Sequence, residues 1–367
     1  MRRFVIISLL LSTALIGLWL FEPPHPAQAL WADYLERLPR PLNLNTSEKQ
    51  QQPPTLPLPS YPERRLRLLE EQPLREGLLD TLDFAECDLL GLISERNSSL
   101  AKVADSAWKL AYELRFLTQA DQCLSRPPAQ RRAETENFYQ LLAQVSQHKR
   151  QQLPRLLANL LYNSAESEAQ FSLAQTPLLP LEDDGAQASL QALAFLQQLT
   201  PAVLAIHRGA PAQPLFQLSE LEQHLAALYH SRFGSKLLQS LQLSGNSLAQ
   251  ASLWLQLRMA RRPLCYHQQA SEEGRILFNV LLRYYAQSGQ QELSRLQRQG
   301  EAWRAGWLTL QELLPPPKVV ADYLHSLWIA EDGSWRRWQA SIQQHQQQWQ
   351  QLLNSCGLAP GQASQTD

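Results

Sequence analysis

Arg2 and Arg3 open this 367-residue chain, and no further charge occurs until Glu22. Residues 4–21 between them are a predominantly apolar run, followed by Glu22-Pro23-Pro24 and Ala27-Gln28-Ala29. A basic start, an apolar middle and an A-x-A end make an export signal. It constrains the fold more than any other feature, because the remainder must then fold outside the cytoplasm, where thiols oxidise. At about 1.5 Å per residue the run reaches roughly 27 Å, close to the hydrocarbon thickness of a bilayer. Residues 1–29 thus have two possible fates. They are a signal peptide cut after Ala29, or an N-terminal membrane anchor, a transmembrane helix oriented cytoplasm-in by Arg2 and Arg3.

The rest of the chain has the composition of helix. The whole chain holds only 14 glycines, and this part is rich in Leu, Ala, Gln and Arg and lacks a convincing run of alternating β-branched residues. The expected fold is all-α, an irregular multi-helix bundle in one or two lobes. A net charge of −1 argues against a general nucleic-acid binder, which normally carries a basic stripe. Arg64-Arg65-Leu66-Arg67, Arg131-Arg132 and Arg261-Arg262 therefore read as solvated helix faces or ion-pair partners.

Prolines and polar runs punctuate the chain. Residues 30–60 read as a proline-rich tether, with a short helix over 30–38 and an extended stretch from Gln50 to Pro62. Residues 61–175 form a first helical lobe and 185–357 a second, divided at 176–185. Residues 358–367 are a disordered tail. Pro127-Pro128 opens a helix to about 152, and Pro154 opens the next. Ser219 and Glu222 have capping-box spacing for a helix over 219–230. Asn246 or Ser247 caps a segment through 262. Ser271 begins another, with Ile276, Val280 and Tyr284, and Leu277, Leu281 and Tyr285, at helical spacing. Trp335, Trp338, Ile342, Trp349 and Leu352 form a stripe expected to face the core.

Four cysteines in an exported chain suggest two disulfides, with three possible pairings. Cys87 and Cys123 have their midpoint at Asp105. Residues 89–103 and 107–117 both read as amphipathic helix, and Asp105 or Ser106 is a good N-cap between them. A reversal there brings both cysteines to the open end of one helical hairpin. That leaves Cys265 with Cys356. No C-x-x-C or paired Cys/His spacing points to a metal.

Several stretches resemble an uncharacterised bacterial envelope family, the domain of unknown function 3080. They are Gly77-Leu78-Leu79-Asp80, Cys87-Asp88-Leu89 and the run from Leu92-Ile93-Ser94 through Glu95-Arg96-Asn97-Ser98-Ser99 to Val103. Tyr112-Glu113, Phe116-Leu117 and Cys123-Leu124 belong with them. So do Asn279-Val280, Tyr284-Tyr285, and the ending His345, Trp349, Leu352-Leu353, Cys356-Gly357-Leu358 and Pro360. The resemblance covers roughly residues 61–360. It implies a place in the envelope and brings no established activity. Many members look like lipoproteins with an N-terminal cysteine, which this chain lacks.

Glu95, Arg96, Asn97, Ser98, Ser99 and Lys102 form a dense polar cluster in an otherwise apolar hairpin. On one helix Glu95 and Ser99 share a face, and the expected arrangement is a buried hydrogen-bonded group with Arg96 paired to Glu113. The alternative is a small polar pocket. Ser99 and Lys102 match S-x-x-K, and Ser244 with Asn246 matches a companion S-x-N. No K-T-G occurs after them, and the all-helical pattern leaves no sheet to line an acyl site. His224 and His230 lie six apart, and Asp322 with His325 is a single weak pair. No catalytic residue, metal site or cofactor is assigned.

The expectation is an exported, membrane-tethered protein on the periplasmic side of the cell envelope. It is more a binding or scaffold module than an enzyme. Expected partners are the membrane, through the N-terminal helix, and an envelope protein or cell-wall component; nucleic acid is not expected. The rival readings are a hydrolase of cell-wall material using Glu95–Ser99, and a carrier of a small apolar ligand.

Overall fold

The computed structural model describes residues 23–72, 86–127 and 136–359. The apolar run, Gly77-Leu78-Leu79-Asp80, Arg131-Arg132 and the tail beyond 359 lie outside the described residues. Three short helices come first: α1 (Pro26–Arg37), α2 (Thr46–Gln50) and α3 (Arg64–Arg67). Pro26 sits in the first turn of α1, where its missing N–H has no intrahelical partner to lose. A reciprocal cap between Asn45 and Glu48 closes the start of α2. The next five are α4 (Leu90–Asn97), α5 (Ser99–Lys102), α6 (Ser106–Leu124), α7 (Glu136–Tyr162) and α8 (Ala165–Phe171). After them come α9 (Ala186–His207), α10 (Leu218–Ser231), α11 (Phe233–Arg261) and α12 (Glu272–Val280). A π-helical stretch, Leu281–Gly289, joins α12 to α13 (Gln290–Leu313). The last helices are α14 (Lys318–Trp328) and α15 (Ser334–Ser355). Among the described residues there is no strand, only an isolated bridge between Tyr266 and Gln269. The chain is all-α.

The longest helix among the described residues, α11, lies against α15, and α9 packs between α7, α10 and α13. By length and composition α9 is apolar enough to cross a bilayer; one face of it, with Ala192, Leu193, Leu196 and Val203, is buried in the bundle. One core cluster runs from Trp31 to Ala359, so it does not divide at 176–185. A smaller cluster holds Ile93, Phe116, Phe138, Tyr139 and Leu142 around the first disulfide.

Aromatic rings organise the main core. Trp303 meets Trp328 at 5.4 Å between centroids, Trp328 meets Trp335 at 5.8 Å, and Trp335 meets Trp338 at 5.1 Å. Glycines make room for them. A Cβ at Gly234 would lie 2.0 Å from Trp303, and one at Gly300 would lie 2.7 Å from Trp335. The predicted C-terminal stripe is core: Trp335, Trp338, Trp349 and Leu352 are buried, and Ile342 packs against them.

Several local readings are corrected. Residues 30–60 are not a free tether. Trp31, Tyr34, Leu38, Leu42, Leu44 and Leu56 belong to the main core, because apolar side chains spaced among the prolines find helices to cover. Pro154 does not start a helix; it lies inside α7. The carbonyl it leaves free, that of Arg150, receives the ring Nδ1 of His207 at 2.8 Å. Asn246 does not cap a helix either. It sits within α11, and its Oδ1 accepts from the backbone N–H of Leu56 at 2.7 Å. α10 starts at Leu218 with no side-chain cap, whereas Ser271 does cap α12, accepting from Gly274 N. Arg67 takes the second of its two expected states, that of an ion-pair partner. It is buried, donates to the Tyr162 carbonyl at 2.9 Å and to Glu168 at 3.0 Å, and stacks over Tyr61.

Candidate functional site

The hairpin forms as the sequence predicts at its turn. Asp105 caps α6, its carboxylate accepting from Trp108 N at 2.8 Å. Disulfides join Cys87 to Cys123 and Cys265 to Cys356, with Cα separations of 5.5 and 5.0 Å. Cys87 and Asp88 both adopt left-handed backbone (φ 66° and 57°), a conformation that L side chains rarely take. Gln119 Nε2 fixes this turn by donating to the Cys87 carbonyl at 3.0 Å.

Among the described side chains the polar cluster does not form one buried group. Ser98 is extended (ψ 158°) and separates α4 from α5, so Glu95 and Ser99 do not share one continuous helix. The Ser98 hydroxyl accepts from Ala101 N at 3.2 Å, which explains the break: a serine satisfies the start of α5 better than it continues α4. Asn97 and Ser99 are exposed, Arg96 is half-buried, and Lys102 ends α5. Glu113 is not Arg96's partner. It accepts two bonds from Lys149 on α7, at 2.9 and 2.7 Å, beneath the rings of Tyr112 and Phe116. Burial beside Glu113 raises the Tyr112 phenol above its ordinary value. Ser244 is fully buried, donating to the Ser240 carbonyl and accepting from Trp338 Nε1, so it forms no site with the exposed Ser99.

Glu95 lines a cleft. Arg115, one helix across, holds it with two bonds at 3.1 and 2.7 Å. The cleft, about 610 Å³, runs between α4, α6 and the segment 214–218. Leu92, Ala111, Leu114, Leu215 and Phe216 supply its apolar lining, and Asp88, Glu95, Arg115 and Gln119 its polar edge. Arg115 pairs with a carboxylate twenty positions away, and Phe216 comes from a segment about a hundred residues on. Sequence reading had no local signal for either.

A second polar feature, buried rather than open, joins α1, the π stretch and α15. The Tyr34 hydroxyl lies 2.7 Å from His345 Nε2, and Trp349 Nε1 reaches both, at 2.9 and 3.1 Å. With an N–H aimed at it, Nε2 is the acceptor and Nδ1 carries the proton. That Nδ1 has no partner, and neither has the nearby Tyr285 hydroxyl. Burial lowers the imidazole to about 3. It raises the phenol of Tyr285 to about 12.

Among the described residues no group of three or more His, Cys, Asp or Glu side chains is placed to hold a metal ion. No curated protein and no solved structure matches the chain. The family model described as protein of unknown function, DUF3080, matches residues 31–360, nearly its whole length. The chain belongs to the DUF3080 family.

Proposed function

We propose that this chain is an exported envelope protein without catalytic activity that binds an envelope partner in the cleft between α4, α6 and residues 214–218. The state of Glu95 carries this reading. A wall hydrolase using that carboxylate needs it free to move a proton, yet both its oxygens are engaged by Arg115. Beside that neutralised pair lie Leu92, Leu215 and Phe216, which favours an apolar side chain from a partner over a polar substrate. The basic–apolar N-terminus and two disulfides support export to an oxidising compartment and attachment through residues 4–21.

A photoreactive residue placed at Leu92 or Phe216 in intact cells is expected to capture one envelope species repeatedly. The same residue at Leu181, on the exposed surface, should capture none. Release of fragments from purified cell wall, lost with Glu95→Gln, would establish the hydrolase instead. A reporter fused to the C-terminus tests compartment: activity on the cytosolic side would remove the export reading.

A further inference from the structure

Residues 51–60 cross the surface in extended form, and the way α11 holds them is unusual for a connecting loop. Gln242, Asn246 and Gln250 stand at i, i+4 and i+8 on one face of α11. Each reaches backbone only. Gln242 Nε2 donates to the Leu56 carbonyl at 3.0 Å, Asn246 Oδ1 accepts from the Leu56 N–H at 2.7 Å, and Gln250 Nε2 donates to the Gln51 carbonyl at 3.0 Å. From α15, Ser334 donates to the Pro57 carbonyl at 2.6 Å. Side-chain amides carry both donors and an acceptor, so they can meet either the carbonyl or the N–H of an extended strand.

Only one side chain of this strap is fully seated. Leu56 is 7% exposed while its neighbours Thr55 and Pro57 are exposed. It lies over Gly245, beside Trp338: a Cβ at Gly245 would come within 3.4 Å of both. A bare Cβ would only touch them, so it is a larger, branched side chain at this position that would fill the notch. Alongside the strap an open groove of about 570 Å³ continues between α11 and α15, lined on the helices by Ala249, Leu253, Gln256, Ala340 and Gln344. Its one charged side chain, Arg337, bonds the Asp332 carbonyl. A charge-poor, amide-rich groove suits an uncharged peptide backbone better than an anion, and among its lining residues no aromatic ring is available for stacking a sugar.

We infer that the α11–α15 groove is a peptide-binding site whose present occupant, Pro54-Thr55-Leu56-Pro57, is an intramolecular ligand. An extended Pro-x-Leu-Pro segment of a partner protein takes its place, with leucine in the Gly245 notch and its backbone on Gln242 and Asn246. Over Pro54–Pro57 the contacts read backbone and one buried leucine, with Leu58 half-buried against the core just beyond, and prolines hold such a segment extended before it binds. The tethered strap competes at an effective concentration of order millimolar, so the free site is masked rather than absent. This reading is independent of the cleft beside Glu95.

The test uses the full chain in detergent and a dye-labelled decapeptide with the sequence of residues 51–60. Leu56→Ser empties the notch. Fluorescence anisotropy should then show at least tenfold tighter apparent binding of the peptide than in the unaltered protein. Adding Gly245→Val should abolish that gain. Equal binding in both proteins, or a gain that survives Gly245→Val, overturns the proposal. Should Leu56→Ser not fold, hydrogen exchange in the unaltered protein decides. Loss of protection at the Leu56 amide on adding millimolar peptide supports displacement, and unchanged protection overturns it. A dimer that dissociates with Gly245→Val would assign the groove to a second copy of this chain and also overturn it.

Discussion

His207 at the end of α9 supplies the hydrogen bond that Pro154 denies to Arg150 on α7. A proline inside a helix leaves the carbonyl four residues earlier without its N–H, and His207 Nδ1 meets that oxygen at 2.8 Å. A carbonyl only accepts, so Nδ1 carries the proton. Arg150 returns the connection, donating to the carbonyls of Ile206 and Ala210 at 2.7 and 2.9 Å. His207→Ala should destabilise the protein by about 1 kcal/mol, the net worth of one hydrogen bond. Pro154→Ala in that background should recover part of the loss by restoring the intrahelical donor. Urea unfolding of the two single variants and the double variant measures the coupling.

The Lys149–Glu113 pair is nearly dry, with side chains 7% and 13% exposed. Removing one partner strands the other charge. Lys149→Met or Glu113→Gln alone should cost about 3–5 kcal/mol. Replacing both with apolar residues of similar volume should cost far less, because the desolvation of two ions disappears with the pair. Chemical denaturation of the three variants tests this; equal losses in all three would show that packing, not charge, dominates.

Acid should weaken the fold through His345. Its buried partners are Tyr34 from α1, Tyr285 from the π stretch and Trp349 on its own helix, none of them charged. The folded ring is lowered to about 3, whereas an unfolded histidine titrates near 6.5. The unfolded chain therefore binds the extra proton first. Stability from this group is fully present above about pH 6.5 and falls as pH drops toward 3, by up to about 1.4 kcal/mol per pH unit. His345→Gln should flatten that part of a stability–pH curve measured by urea unfolding. An unchanged slope would show that other groups set it.

Gly274 is the soft point of the second disulfide. A Cβ there would lie 2.9 Å from the Cys265 sulfur and 3.3 Å from that of Cys356. Gly274→Ala should lower Tm while leaving the bridge in place on a non-reducing peptide map. Replacing Cys265 and Cys356 by serine should cost roughly 4 kcal/mol on the loop-entropy model, measured against the intact chain under the same conditions.

The parts legible in the sequence are those whose causes are local or periodic. Ser271 caps α12, Asp105 turns the hairpin, and the tryptophan spacing of α15 marks its buried face. The misreadings share one origin. Pro154 and Asn246 look like helix boundaries because their residue types favour helix ends, yet each sits inside a helix and its special chemistry is met by a distant residue, His207 or Leu56. The strap looks like a tether because an extended proline run has the same composition whether it is free or lying in a groove. Glu95 is legible as a polar oddity. Its partner Arg115 and its neighbour Phe216 are not, since nothing in the chain's order announces which segment closes the cleft.

The embedding of α1 has a mechanical consequence. A free leash of some thirty residues would let the body roam on the order of 100 Å from its attachment point. With Trp31 and Tyr34 locked into the interior, only residues 22–25 separate α1 from the apolar run, a span of at most about 14 Å. In any chain that keeps residues 4–21 in a bilayer, the whole bundle would ride close to the lipid headgroups, with one face turned toward them. Under that attachment any binding partner would have to come to that surface, since the bundle would have no reach of its own.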